Sequence, residues 1–270
     1  MNNVPAKTQP VLDKYFQLLE KKLPDLLETY YLYGSISLGA FKDGCSDIDF
    51  IAIIKRRLTE SELKLLKEIH KSIQSKFPET ILDGFYIMKE DFVTINKRKV
   101  TSIRFNDGKF HGFTAFDKNS IDAFQLQKYG VLIKGEKLEE NIYTVDWNIL
   151  IPNMRHNLNT YWLGWMNDCR RFPSIKYIGL YFSINMIEWG VLGVSRLYYT
   201  FIEKDIISKA GAGEYVLRKA PEKYHKIIKE ALRNRQGIKK SYYRSIVERR
   251  KDTLDYMEFM MKECHNLFIE

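Results

Sequence analysis

The sequence predicts an α+β protein, with a small mixed sheet and helices in residues 1–143 and an α-helical bundle in residues 144–270. Three observations predict it. Short apolar runs rich in Ile and Tyr, at residues 30–33, 48–54 and 81–88, alternate with stretches of helical period, as in a sheet layered with helices. After Tyr143 the character changes, and WNILIPNMRHNLNTYWLGWMND, SIKYIGLYFSINMIEWGVLGVSRLYYTFIE, PEKYHKIIKEALRNR and DTLDYMEFMMKECHNLFIE all suit helices. With 45% hydrophobic and 29% charged residues over 270 positions, the chain has the composition to bury the cores of two ordinary domains.

Each element has its own warrant. Leu12, Tyr15, Phe16, Leu19 and Leu23 recur at helical spacing and stop against Pro24, giving an opening helix. Residues 30–33 form a short strand that Gly34 and Ser35 break. Residues 48–54 are too short and too rich in isoleucine to prefer a helix. Thr59 with Glu62 makes a capping box, and Leu63, Leu66, Ile69, Ile73 and Phe77 mark the buried stripe of the helix it opens, which Pro78 closes. A third strand follows at 81–88. Residues 93–119 show no clean period and read as loops with a hairpin at GKFHGF. Residues 121–129 read as a helix, and VLIKGEKL as a last short strand with a turn.

Composition also restricts partners. Cys45, Cys169 and Cys264 are far apart, odd in number and without a CxxC pair, so free thiols are expected rather than a disulfide framework or a zinc site. No basic patch followed by a long apolar core opens the chain, and no uninterrupted apolar run reaches membrane-spanning length. The expected location is therefore the cytoplasm, with no membrane partner. The net charge of +9 suits an anionic ligand, but the basic clusters at 55–57, 97–99, 239–240 and 249–251 are short and scattered. Nucleic acid is not the favoured partner on that pattern, although the charge leaves it open.

Chemistry concentrates in one stretch, YYLYGSISLGAFKDGCSDIDFIAII. Side chains alternate along a strand, so Asp47 and Asp49 leave the start of the second strand on the same side. Two carboxylates so close repel unless a cation lies between them, and hard oxygen ligands of this kind suit Mg²⁺ carrying a phosphate substrate. Gly34 lets backbone approach a phosphate, and the Ser35 hydroxyl can donate to its oxygens. A polar turn is the plain alternative for either dipeptide alone. The combination of a strand ending in GS, a glycine at Gly39 and SDIDF opening the next strand resembles the nucleotidyltransferase superfamily to which polymerase beta belongs.

A nearer likeness extends through both halves. The stretch LYGSISLGAFKDGCSDIDFIAII, with VSRLYYTFIEKDIISK further on, resembles the bacterial adenylyltransferases acting on streptomycin and spectinomycin. That resemblance implies a polymerase-beta-like N-terminal domain, a helical C-terminal domain binding substrate and nucleotide, and antibiotic-resistance chemistry: AMP moves from ATP to a hydroxyl of an aminoglycoside-like small molecule. It implies two Mg²⁺ ions on Asp47 and Asp49, nucleotide contacts from Gly34, Ser35, Ser46, Arg196 and Lys209, and Asp83 of LDGFYIMKEDF as general base. PEKY at 221–224 and residues 235–237 also fall in register.

Two departures stand out. The family carries Glu where this chain has Asp83, one methylene shorter. Where the family holds a cationic drug with acids, this chain has Phe182 and Met186, with Glu188 the nearest carboxylate. A protein or RNA acceptor, and a nucleotide-binding module without turnover such as half of a toxin and antitoxin pair, are the competing readings. His111 lies where a substrate loop is expected. His156 and His225 read as ordinary helix residues.

Overall fold

The fold was derived from a computed structural model, which describes residues 4–94, 98–139 and 142–268. Residues 95–97, part of the irregular stretch read at 93–119 and including the first lysine of one basic cluster, lie outside it, as do the last two residues of the final helical stretch. The chain forms two compact units, Met1–Asp146 and Trp147–Glu270, dividing three residues beyond the boundary read from sequence.

In the first unit, α1 (Gln9–Lys22) leads into β1 (Leu27–Leu32), and a single helical turn, α2 (Gly34–Ser37), follows at once. Then come β2 (Ile48–Ile54), α3 (Glu60–Lys76), β3 (Leu82–Met88) and a short α4 (Lys89–Val93). The hairpin β4 (Lys99–Asn106) and β5 (Lys109–Asp117), then α5 (Ile121–Tyr129) and β6 (Val131–Lys134), complete it. The strands lie in the order β5-β4-β3-β2-β1-β6; β2 and β3 are parallel, joined by the α3 crossover, and the other neighbours are antiparallel.

One face of the sheet packs under α1 and α3. Leu12, Tyr15, Leu19, Leu66, Ile69 and Ile73 meet Tyr30, Leu32, Phe50, Ala52, Tyr86 and Phe105 in one core. Ile51, Ile53, Phe85, Ile87, Phe92 and Phe116 are buried as well, so β2 is covered on both sides, which is why IDFIAII reads as an almost unbroken apolar run. The capping box forms as read: Thr59 Oγ1 accepts from Glu62 N, and the Glu62 carboxylate accepts from Thr59 N. Within the core, His70 stacks on Phe105 with ring centroids 3.6 Å apart, and its Nε2 meets the Tyr86 hydroxyl at 2.7 Å.

The sequence reading of 93–119 needs correction. Residues 99–117 form a two-stranded hairpin at the sheet edge instead of loops; its turn is Asp107–Gly108, with φ of 51° and 66°, and GKFHGF runs from that turn into the second strand. An Asp-Gly pair with both φ positive matches the right-handed twist of its strands, so the turn signal was present in NDGK.

The second unit contains α6 (Trp147–Asn157), a π-helical turn Leu158–Trp162, α7 (Leu163–Arg170), α8 (Ile175–Phe182), α9 (Ile184–Glu203), α10 (Lys209–Leu217), α11 (His225–Gln236) and α12 (Ile246–Asn266). The single helical stretch read at 174–203 is two helices bent by 100° about Ser183, whose Oγ caps α9 by accepting from Met186 N. α9 is the central helix, packed against α10, α11 and α12, and that burial accounts for its apolar composition. Among the described residues no single helix is long and apolar enough to cross a membrane. Glu230, fully buried, is held by both nitrogens of the Arg233 fork at 2.6 and 2.7 Å, by Ser241 Oγ and by Tyr242 N, an ion pair that pins the turn after α11.

Candidate active site

The parallel pairing of β2 and β3 sets Asp49 directly opposite Asp83. Paired residues on neighbouring strands face the same side about 4.8 Å apart between backbones, so two half-buried carboxylates stand together. Asp47 lies one residue before β2 and is exposed. The loop that delivers it is fixed locally: Ser46 Oγ accepts from Lys42 N at 3.0 Å, while Cys45 N and Ser46 N both donate to the Lys42 carbonyl. Ser46 thereby holds the loop as well as lying beside the carboxylates in sequence.

The turn after β1 comes to the same place. Tyr33 N donates to the Asp49 carbonyl at 3.0 Å, and Gly34 then turns with φ of 63°. A Cβ on Gly34 would stand 1.9 Å from Asp49 Oδ2, so only a bare Cα lets this backbone lie against the carboxylate. Ser35 Oγ is buried and has no hydrogen-bond partner among the described residues. An unmet hydroxyl beside a glycine turn is a group that a ligand oxygen would satisfy.

Asp83 is held from its other side. Its Oδ2 accepts from Asp107 N at 3.0 Å and its Oδ1 from Gly108 N at 3.1 Å, so the β4–β5 turn clamps the carboxylate. Burial nevertheless raises its pKa above the usual carboxylate value, with those two N–H groups and Arg104 pulling the other way. Each oxygen keeps a further lone pair, so the clamp leaves room to accept a proton.

Two residues passed over in the sequence complete the surroundings. Arg104, on the same sheet face one strand beyond Asp83, donates Nη2 to Asn106 Oδ1 at 3.1 Å and lies 5.1 Å from the Phe85 ring centre. The Tyr33 hydroxyl is driven well above its ordinary pKa, first by burial and then by the charges of Asp122 and Asp49. Arg104 had no local sequence signal, because it reaches the site through strand pairing. His111, on the edge strand, points its Nε2 at the Asn106 carbonyl at 3.1 Å.

Among the described residues no group of three or more His, Cys, Asp or Glu side chains forms a ready-made metal cage. Mg²⁺ does not need one, since it takes one or two carboxylates and completes its shell with substrate phosphates and water. The donor set of Asp47 and Asp49 beside the unmet Ser35 hydroxyl fits that pattern. A cavity of about 260 Å³ lined by Tyr31, Leu126, Lys137, Leu138 and Tyr143 contains none of these side chains.

In the helical unit, Arg196 lies half-buried on α9. Lys209 is the first residue of α10, where Ser208 Oγ caps the helix by accepting from Gly211 N at 3.0 Å. Its Nζ lies 4.8 Å from the ring centre of Trp189. Phe182 is 72% exposed, and Met186 packs over Gly179. Glu188 is only 8% exposed and is already engaged, by Asn234 Nδ2 at 2.6 Å and Arg235 Nη1 at 3.5 Å. It is therefore already partnered by two side chains of α11.

Residues 183–263 match the family model described as the aminoglycoside adenylyltransferase C-terminal domain. The structure is similar to that of spectinomycin adenyltransferase AAD(9) from Enterococcus faecialis, solved with ATP and spectinomycin. The TM-score is 0.69 over 94% of this chain and 99% of that one, at 17% sequence identity. No curated protein sequence matches the chain. The fold is thus that of an AAD(9)-like nucleotidyltransferase, and the segment matched in the helical unit includes the stretch around Arg196 and Lys209 that carried the likeness in the sequence.

Proposed function

We propose that the protein is a Mg²⁺-dependent O-adenylyltransferase that moves AMP from ATP to a hydroxyl of an aminoglycoside-like small molecule, in the manner of antibiotic-resistance enzymes. The observation that carries this reading is the placement of Asp49 opposite Asp83 with the Gly34 turn pressed against the Asp49 carboxylate. The acceptor hydroxyl oxygen attacks the α-phosphorus, the bond from that phosphorus to the bridging oxygen breaks, pyrophosphate leaves, and Asp83 takes the hydroxyl proton. Its raised pKa suits that role, and such general-base help is worth roughly 10² to 10⁴ in rate.

Gly34 and Ser35 receive phosphate oxygens through bare backbone and an unmet hydroxyl, and Ser46 keeps Asp47 in place. Arg196 and Lys209 are the fixed cations for the phosphates. Asp47 and Asp49 would hold Mg²⁺, two ions by the family resemblance, and the metal would supply charge neutralisation at the phosphates. Residues 1–143 are then the nucleotidyltransferase domain and residues 144–270 the substrate- and nucleotide-binding domain, working in the cytoplasm where ATP is supplied.

Incubation with ATP, Mg²⁺ and a panel of hydroxyl-bearing antibiotics including spectinomycin and streptomycin, read by mass gain of one AMP, tests the reading. No gain on any acceptor, with no pyrophosphate released, would sink it. A second reading keeps the chemistry and moves it to an RNA or protein acceptor, which the net charge of +9 permits.

A further inference from the structure

We propose that Trp189 is a positioning residue for Lys209, holding its ammonium group ready for the nucleotide phosphates. The proposal rests on the nucleotide-binding role assigned to Lys209 above, and adds a contact of the chain that orients this side chain.

Lys209 is poorly placed to be held by its own helix. It stands at the first position of α10, where the unpaired N–H groups already carry positive potential, so a lysine there gains nothing from the helix and is mildly repelled by it. Its stem has four rotatable bonds, so each contact along it narrows the positions its ammonium takes. The face of Trp189 offers the compensating partner: the ring quadrupole attracts the cation, whose Nζ sits 4.8 Å from the ring centre.

Trp189 is itself braced from behind. The Trp162 indole stacks on it with centroids 6.0 Å apart and planes 25° apart, and Trp165 backs Trp162 at 6.5 Å. Trp162 reaches α9 because position 193 is glycine; a Cβ there would lie 2.0 Å from Trp162 Cη2. Trp162 closes the π-helical turn Leu158–Trp162, a local widening of helix that is frequent at functional sites.

Core packing does not account for Trp189, because the ring is 42% exposed although it sits on the central helix of its unit. Arg196 follows seven residues later, about two turns along the same side of α9. The braced ring therefore sets the second phosphate cation next to the helix face that carries the first. Preorganisation of this kind raises affinity by removing the ordering cost at binding.

The test is a double-mutant cycle on ATP affinity, measured by titration calorimetry with Mg²⁺ and no acceptor. Trp189→Leu is expected to weaken ATP binding about tenfold, and Trp189→Phe by less, since phenylalanine is the weaker cation–π partner. In a Lys209→Met background the same Trp189 changes should have no further effect. Equal losses in both backgrounds would mean that Trp189 acts on the fold and not through Lys209, and would overturn the proposal. Should Trp189→Leu fail to fold, Trp189→Phe carries the same comparison. A wild-type protein that binds no ATP would bring down the functional reading and this proposal together, whereas ATP binding with an additive cycle brings down the proposal alone.

Discussion

Gly34 is the residue at which sequence, conformation and chemistry are most tightly joined. Its φ of 63° lies in the left-handed region, and its Cα touches the Asp49 carboxylate. Gly34→Ala combines that backbone strain with a collision against a short side chain, so a loss of roughly 1–3 kcal/mol in stability is expected. Displacement of Asp49 by an ångström or so would lower adenylyl transfer about 100-fold. Thermal unfolding and pyrophosphate release measured on one preparation would check both effects. Asp49→Asn is expected to separate them, abolishing pyrophosphate release while the melting temperature stays within a few degrees. Full activity in that variant would remove the role given to this carboxylate. Of the candidate site, Gly34, Ser35, Asp47 and Asp49 were legible because they sit at strand ends in a recognisable pattern, and Asp83 only through the family resemblance. Tyr33, Arg104 and Trp189 were not, because each matters through a contact with a residue distant in sequence, which a linear period cannot reveal.

Elements differ in how clearly they announce themselves. β2 and α3 could be read nearly to the residue, since one is a strand buried on both faces and the other begins with a complete capping box. β4 and β5 were read only as loops with a hairpin at GKFHGF, and not to their full length, because the hairpin lies at the sheet edge, where Lys99, Thr101, Lys109 and His111 face solvent and dilute the apolar signal. α3 also carries a buried titratable group. Burial holds the pKa of His70 down to about 3, against an ordinary value near 6.5 in the unfolded chain. Between those values the unfolded chain takes up a proton that the folded one refuses, so stability falls as pH drops from about 6.5 towards 3 and is unaffected by this group above that range. Fully developed, the effect is on the order of 5 kcal/mol. Denaturant unfolding across that range should show the slope in the wild type and its loss in His70→Gln, and an identical slope in both would assign the acid sensitivity elsewhere.

At the scale of the whole molecule the open question is the net charge of +9, the excess of 43 basic over 34 acidic side chains. A charge of that size attracts any polyanion at low salt, so weak RNA binding under such conditions carries no information about the acceptor. Salt separates the cases. An RNA substrate held by six to ten phosphate contacts loses about 10³- to 10⁵-fold in affinity between 50 and 200 mM salt, yet a specific one still binds measurably at the upper end. A small-molecule enzyme with incidental basic surface should lose RNA altogether. The scattered basic clusters, and the ion pairs that already occupy Arg233, Arg235 and Arg249, favour that outcome. Fluorescence anisotropy of a labelled RNA should therefore show no binding near physiological salt, while ATP titrated under the same conditions remains bound. RNA retained at that salt, and released by an excess of ATP with Mg²⁺, would instead place the polyanion in the nucleotide site and move the acceptor from an antibiotic-like alcohol to a nucleic acid.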